Sequence, residues 1–354
     1  MDFGIGTARI DEIGYIAHAE NLGYNHCWVT DSQMIRSNCF AVLALAARET
    51  RTMSLGTGVS VAGLRLAPTT ANGIATINRI APGRTFLSLG TGHSAMRLMG
   101  QPPMRLKEFA EYARVVKALI RGEQIDYTLN GTTHPITFQM REFKYLDVDH
   151  YIPLYVAAYG PKTQALAGEI GDGLVTGIPK GGTIEEILAN VRRGAQRAGR
   201  TLDNFRIIAR MNIAILQPGE SITSDRIIQE CGPGITSWLH YSVDRLKESG
   251  AEPPDELKPI WNEYLTFHMA RDPETRHQKL HASHNTYVDP EEARFVTADL
   301  IKALCVVGRP EEVVDQLRVL EQKGVTQILM NFPIVQSYGL LEEFSRNIIE
   351  RYSE

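Results

Sequence analysis

"MSLGTGVSVAGLRLAPTTANGIATINRIAPGRTFLSLGTG" occupies residues 53–92. It begins with a β-rich run (53–61), continues through a helical pattern (67–82) and ends in a second β-rich run (84–92). Both runs contain SLGTG, starting at Ser54 and at Ser88. Strand, helix and strand in that order imply parallel strands joined by a right-handed crossover.

The same alternation extends in both directions. Before this stretch come "DFGIGT" (2–7) with a helix over 10–24, and "HCWVTD" (26–31) with a helix over 39–50. After it come a helix over 105–122, an irregular Thr- and Tyr-rich stretch (123–151), and the strands "PLYVAAY" (153–159), "LVTGI" (174–178), "FRIIARMNIAIL" (205–216) and "TQILMNF" (326–332). Eight strand–helix units fit an α/β (β/α)8 TIM barrel better than a doubly wound Rossmann sheet, which remains the alternative. Residues 217–305 are too long for a barrel connection and hold several helical patterns. They are expected to form a helical insertion between strands 7 and 8, over the barrel mouth, within a single domain spanning 1–354.

Composition narrows the function classes. The chain has 354 residues, 43% hydrophobic and 22% charged, with 41 acidic and 37 basic side chains. That balance argues against nucleic acid or an anionic membrane as partner. Cys27, Cys39, Cys231 and Cys305 form no C-x-x-C pair, which suits a reducing cytoplasm and offers no thiolate metal site. No signal-peptide or membrane-spanning pattern is present in the sequence, so a cytoplasmic protein is expected.

Neither glycine pair is a dinucleotide fingerprint. From Gly56 the text runs G-T-G-V-S-V and from Gly90 it runs G-T-G-H-S-A, so the third glycine of G-x-G-x-x-G is missing from both. No Lys-Ser/Thr follows to make a phosphate-binding loop of the Walker type. In a barrel both segments lie at carboxyl ends of strands. There, small residues either let the backbone approach a flat ligand or simply relieve crowding.

Four segments carry a family resemblance: "AENLGYNHCWVTDS" (19–32), 55–92, "RLKEFAEYARVVKALIRGE" (105–123) and "IPLYVAAYGPKTQALAGEIGDGLVTG" (152–177). Their order and spacing resemble the bacterial luciferase-like superfamily, and more narrowly its coenzyme F420-dependent branch, which includes methylenetetrahydromethanopterin reductase. The likeness covers about residues 2–216 and returns at "VGRPEEVVDQLRVLEQKGV" (307–325) and the last strand. The resemblance implies a TIM barrel, often dimeric, that binds F420 or FMN across its carboxyl-end mouth and acts on a small organic molecule. For FMN, a separate reductase would supply reduced flavin.

Carried onto this chain, it places a non-prolyl cis peptide at Gly58–Val59, with Ser60 following, behind the cofactor ring. Asp31, Thr91 and Gly92 would adjoin the ring, and the phosphate would lie at Tyr159, Gly160, Pro161 and Lys162, beside Thr176 and Gly177. Pro161 suits a first helical turn, whose free N–H groups attract anions. The F420-dependent glucose-6-phosphate dehydrogenase branch has Asp-His after strand 2 and Thr-Gly-Glu after strand 4. This chain has Asp31-Ser32 and Thr91-Gly92-His93. A sugar-phosphate alcohol is therefore disfavoured, and His93 and Ser32 become the candidates for proton handling. An imidazole titrates near pH 6.5, about where acid–base work is most effective; bonding to the ribityl chain or a helix end is the plainer role for His93.

Within the insertion, His240, Trp261, His281 and His284 are candidate substrate contacts. His277, His281 and His284 have helical spacing, yet the Glu of H-E-x-x-H is absent, so no metal is assigned. Aromatic residues there suit either a lid or a core. Alternation in 205–216 turns Arg206, Arg210 and Asn212 to one face, where Arg210 would meet an internal acid or an anionic ring. A flavin-binding barrel without catalysis, and a metal-dependent hydrolase, complete the alternatives.

Overall fold

A computed structural model describes residues 1–178, 182–334 and 336–353. Among the described residues twelve strands occur in chain order: β1 (Asp2–Thr7), β2 (His26–Val29), β3 (Ser54–Thr57), β4 (Ser60–Val61), β5 (Thr85–Gly90), β6 (Ile125–Leu129), β7 (Thr132–Ile136), β8 (Leu154–Ala157), β9 (Gly173–Gly177), β10 (Arg206–Ile215), β11 (Cys305–Gly308) and β12 (Gln327–Met330). Eight of them close a parallel barrel in the order β1, β2, β3, β5, β8, β9, β10, β12. The TIM barrel is thus the architecture.

By compactness the chain divides into a first unit (Met1–Ala95, Pro103–Ala209, Gly324–Leu329) and a second (Met96–Pro102, Arg210–Lys323, Met330–Glu354). In the first, Trp28, Phe86, Tyr155, Val175, Ile208 and Leu329 form a buried cluster. The rings of Trp28 and Phe86 lie 4.3 Å apart, and those of Phe86 and Tyr155 lie 5.5 Å apart. In the ladder Trp28 faces Gly56 and Gly56 faces Phe86. A Cβ on Gly56 would fall 2.3 Å from the Phe86 ring, so β3 supplies no bulk where its neighbours supply two large aromatics.

Outside the strands, the helices Pro161–Ile170 and Ile184–Arg197 approach each other through two glycines. A Cβ on Gly168 would lie 2.0 Å from the Val191 carbonyl oxygen, and one on Gly194 would lie 1.8 Å from that of Ala165. The second helix starts with Thr183 and Glu186 in reciprocal capping bonds, which close two of its free N–H groups.

Two readings of the sequence need correction here. The stretch 123–151 is not wholly irregular: β6 and β7 form an antiparallel hairpin around Asn130 and Gly131, both at positive φ. Asn-Gly fits that turn because its two central residues must adopt left-handed conformations. In addition, only Ala298–Leu304 of the last helical pattern in 217–305 is a helix, because Cys305–Gly308 leaves it to pair in parallel with Asn212–Ile215. The β-branched Val306 and Val307 suit that strand.

The second unit has its own apolar core, with Ile227, Ile235, Leu239, Tyr264, Phe295 and Leu300 at its centre. Its helices include Asp225–Ser249, Lys258–Met269, Arg276–His281 and Pro310–Gln322. No helix among the described residues is long and apolar enough to cross a membrane.

The glycine contact between the two helices yields a stability test. Gly194→Ala is expected to cost about 1–3 kcal/mol in urea unfolding, because the backbones must separate. Gly14→Ala, in the helix Ile13–Asn21 with nothing within 4 Å of the added methyl, is expected to be neutral or to gain up to about 1 kcal/mol from helix propensity.

Candidate functional site

At its carboxyl end β3 leaves the ladder. Gly56 pairs with Phe86, but the next pairing is Ser60 with Leu89, so residues 57–59 face only Leu87 and Ser88. This is a bulge of one residue. Thr57, wholly buried, repairs the gap with its hydroxyl, which donates to the Ser88 carbonyl (2.7 Å) and accepts from the Ser88 N–H (3.0 Å). The Gly58 N–H donates to the Val29 carbonyl at 2.7 Å, keeping the bulge against β2. The Gly58–Val59 peptide is cis, as the family resemblance implies.

The glycines of the two SLGTG copies differ in purpose. Gly56 accommodates the Phe86 ring, and Gly58 lies against Trp28, whose Cβ would be 2.8 Å from an added methyl. Gly90 leaves room for Val59, whose Cγ2 would lie 2.7 Å from a Cβ there. Gly92 has φ +84°, a left-handed turn that a side chain would strain, immediately before the helix His93–Arg97. Thr91 is half-buried and its carbonyl accepts from the Met104 N–H.

Asp31, following β2, is buried, and its carboxylate is occupied by protein groups. It accepts from the Val61 N–H (3.1 Å), from the Ser60 hydroxyl (3.4 Å) and from both terminal nitrogens of Arg65 (Nη2–Oδ1 3.0 Å). Ser32, next in sequence, is half-buried.

At the β8 end, Gly160 caps the helix Pro161–Ile170 without a side-chain bond, and nothing lies within 4 Å of where its Cβ would be. Pro161 and Lys162 are exposed, and Tyr159 is half-buried. The Ala158 N–H donates to the Val175 carbonyl, closing the last pairing of the β8–β9 ladder, Ala157 with Val175. Thr176 is wholly inaccessible and its hydroxyl has no partner among the described residues. An open glycine, a helix start and an unengaged hydroxyl together fit a ribityl-phosphate group.

The candidates in the second unit separate into two groups. His240, 1% exposed, donates from Nε2 to Glu292, 3.0 Å from each carboxylate oxygen, and Tyr264 and Arg271 donate to the same carboxylate. Burial pushes the His240 pKa below its ordinary value despite the adjacent carboxylate. For Glu292, burial would raise the pKa, but the bond from His240 and the charge of Arg271 outweigh it and hold it below the usual range. A neutral imidazole, a carboxylate and a guanidinium then make a compensated core, and His240 serves packing there. Trp261 packs on the apolar core, and Tyr264 meets Phe295 edge-on at 4.9 Å, so these aromatics are core.

His281 donates to Asp244 at 2.9 Å, and Arg97 bonds the same carboxylate oxygen at 3.3 Å and reaches Glu248. Arg97, Asp244 and His281, with His277 and residues 100–102, line a cavity of about 310 Å3. His284 does not share a helix with His277 and His281: the helix ends at His281, and Asn285, at φ +53°, bonds the His284 ring. Arg210 meets an amide instead of an acid, with the Asn331 side-chain oxygen facing its guanidinium (Nε–O 3.3 Å). Arg206 instead pairs with Asp2.

Residues 6–327 match the family model described as luciferase-like monooxygenase. The chain belongs to that family. It is a luciferase-like oxidoreductase of the flavin/F420-dependent type. It is 26% identical over 327 residues to a 5,10-methylenetetrahydromethanopterin reductase of Archaeoglobus fulgidus, covering 90% of this chain and 89% of the relative. It is 25% identical over 361 residues to an F420-dependent glucose-6-phosphate dehydrogenase of Beutenbergia cavernae, covering 96% and 93%. Among solved structures, the coenzyme F420-dependent tetrahydromethanopterin reductase of Methanopyrus kandleri superimposes with a TM-score of 0.70, at 22% identity and 99% coverage of both chains.

Within this luciferase-like barrel, sequence reasoning had no role for Thr57 or Arg65. Nothing in "SLGTG" or "GLRLAP" marks a hydroxyl that substitutes for a ladder bond or a guanidinium that engages a carboxylate thirty-four positions earlier.

Substitutions at two positions test these assignments. Thr57→Val keeps the shape but strands the Ser88 N–H, and is expected to cost about 1–3 kcal/mol in denaturant unfolding, with Thr57→Ser close to wild type. Glu292→Ala leaves Arg271, His240 and Tyr264 without their acceptor, and an expected loss of about 3–5 kcal/mol is measurable the same way.

Proposed function

We propose that this protein is an F420-dependent oxidoreductase whose substrate is a small organic molecule other than a sugar-phosphate alcohol. The observation that carries this reading is end-to-end kinship with a relative named as F420-dependent, at 25% identity over 96% of the chain. The strand-end geometry supports it: Val59 lies over Gly90, and Thr176 and Gly160 leave a hydroxyl and open space at a helix start.

When bound, the deazaflavin would supply a hydride donor or acceptor at its ring carbon. The chain's own tasks are binding, orientation and proton handling. Gly58, Val59 and Ser60 would back the ring, and Gly160, Pro161, Lys162, Thr176 and Gly177 would hold the phosphate. Thr91 and Gly92 would border the ring edge. His93 would exchange a proton with the substrate heteroatom, an imidazole being competent in either direction near neutral pH. Ser32 would donate a hydrogen bond, since a hydroxyl without a base partner abstracts protons poorly.

The family description as monooxygenases favours a second reading on the same barrel, with reduced FMN and oxygen. Titration of the purified apo-protein with F420 and with FMN separates the two. Saturable F420 binding and weak FMN binding are expected; tight FMN binding with none for F420 would overturn the first reading. In a screen of reduced F420 against carbonyl and imine substrates, His93→Ala is expected to lower turnover about 10²–10⁴-fold while leaving F420 affinity within a few-fold.

A further inference from the structure

We infer that the ion pair between Asp31 and Arg65 is a clamp that sets the position of the Val59 side chain, making both positioning residues for the cofactor ring. The inference rests on the cofactor reading given above. It takes Asp31 out of the set of cofactor ligands.

An ionised carboxylate has about four acceptor sites. In Asp31, Oδ2 takes Arg65, the Val61 N–H and the Ser60 hydroxyl, and Oδ1 takes the second nitrogen of Arg65. The Asp31 side chain is only 2% exposed and that of Arg65 is 16% exposed. The carboxylate is therefore filled from within the protein.

These four bonds come from one short segment, and the Cys39 thiol at the start of the helix Cys39–Glu49 also meets the carboxylate. Ser60 and Val61 form β4, residues 62–64 make a single 3-10 turn, and Arg65 follows. Both ends of that segment are tied to the same carboxylate at the end of β2. The guanidinium is also held over the Phe40 ring, 5.3 Å from its centre, and that ring fills the space beside Gly73, where a Cβ would be 2.8 Å away. Arg65 is thus fixed against helices Cys39–Glu49 and Ala67–Ile80 as well as against β2.

Val59 immediately precedes this clamped segment. Its Cγ2 is pressed over Gly90 from the other side. With Ser60 held behind and Gly90 below, the isopropyl group has little lateral freedom. A two-pronged Arg–carboxylate contact has geometric specificity that a lysine cannot reproduce.

The test uses the full chain and four variants: Val59→Ala, Asp31→Asn, Arg65→Lys and the double Asp31→Asn/Val59→Ala. For each, F420 and FMN dissociation constants, the absorbance change of the bound cofactor and the cofactor-free Tm are measured. Val59→Ala and Asp31→Asn are each expected to weaken binding about tenfold, and the double variant to be no weaker than the worse single, because they act through one surface. Arg65→Lys should follow Asp31→Asn and shift the bound-cofactor spectrum in the same direction. The clamp is overturned if Asp31→Asn and Arg65→Lys lower Tm while binding like wild type, or if the effects of Asp31→Asn and Val59→Ala multiply. Should wild type itself bind neither cofactor, the functional reading fails and the clamp fails with it, a result distinct from failure of the variants alone.

Discussion

The hydroxyl of Thr57 makes the candidate site compatible with the barrel. A closed parallel barrel requires every strand to keep its ladder, whereas a surface at the mouth requires one strand to break away. At residues 57–59 these demands conflict, and the buried Ser88 N–H would be left without a ladder partner. Thr57 supplies the acceptor with its hydroxyl at 3.0 Å, and the same hydroxyl donates to the Ser88 carbonyl at 2.7 Å. The bulge can then turn Val59 across Gly90 while the barrel wall stays hydrogen-bonded.

The recurring SLGTG follows from the same geometry. Its first glycine in each copy lies where a neighbour's bulk intrudes, the Phe86 ring on Gly56 and the Val59 methyl on Gly90. The last glycine meets the Trp28 backbone in one copy and adopts a left-handed turn in the other. Adjacent strand ends therefore reach similar sequences for different local reasons. No ligand is needed to explain Gly56, because two aromatic side chains already account for it. Gly90 differs: its missing side chain admits Val59, the second residue of the cis peptide.

The barrel was legible because its signal is repeated: apolar runs and helical patterns alternate eight times, and each repetition reinforces the others. The Gly58–Val59 conformation was legible only through family resemblance, since no local propensity selects it. What could not be read were interactions between side chains distant in sequence. The resemblance sets Asp31 beside the cofactor ring, yet its carboxylate is engaged by Arg65. His240 looked like a substrate contact because it lies in an aromatic, histidine-rich stretch, yet Glu292, fifty-two positions later, accepts its proton bond in the core. The hairpin at 125–136 was different. Its Asn-Gly turn was present in the text but hidden among Thr and Tyr.

Where each charge is held limits what chemistry the strand ends can perform. With Asp31 paired to Arg65, the end of β2 offers the Ser32 hydroxyl, a hydrogen-bond donor of low basicity. The corresponding Asp-His pair of the sugar-phosphate branch has an imidazole at that position. Here the imidazole stands after β5 instead, at His93, where that branch has a carboxylate. The imidazole thus stands at one strand end here and at another in that branch. On the proposed reading, in which His93 exchanges the proton, a substrate would present its heteroatom toward the β5 side.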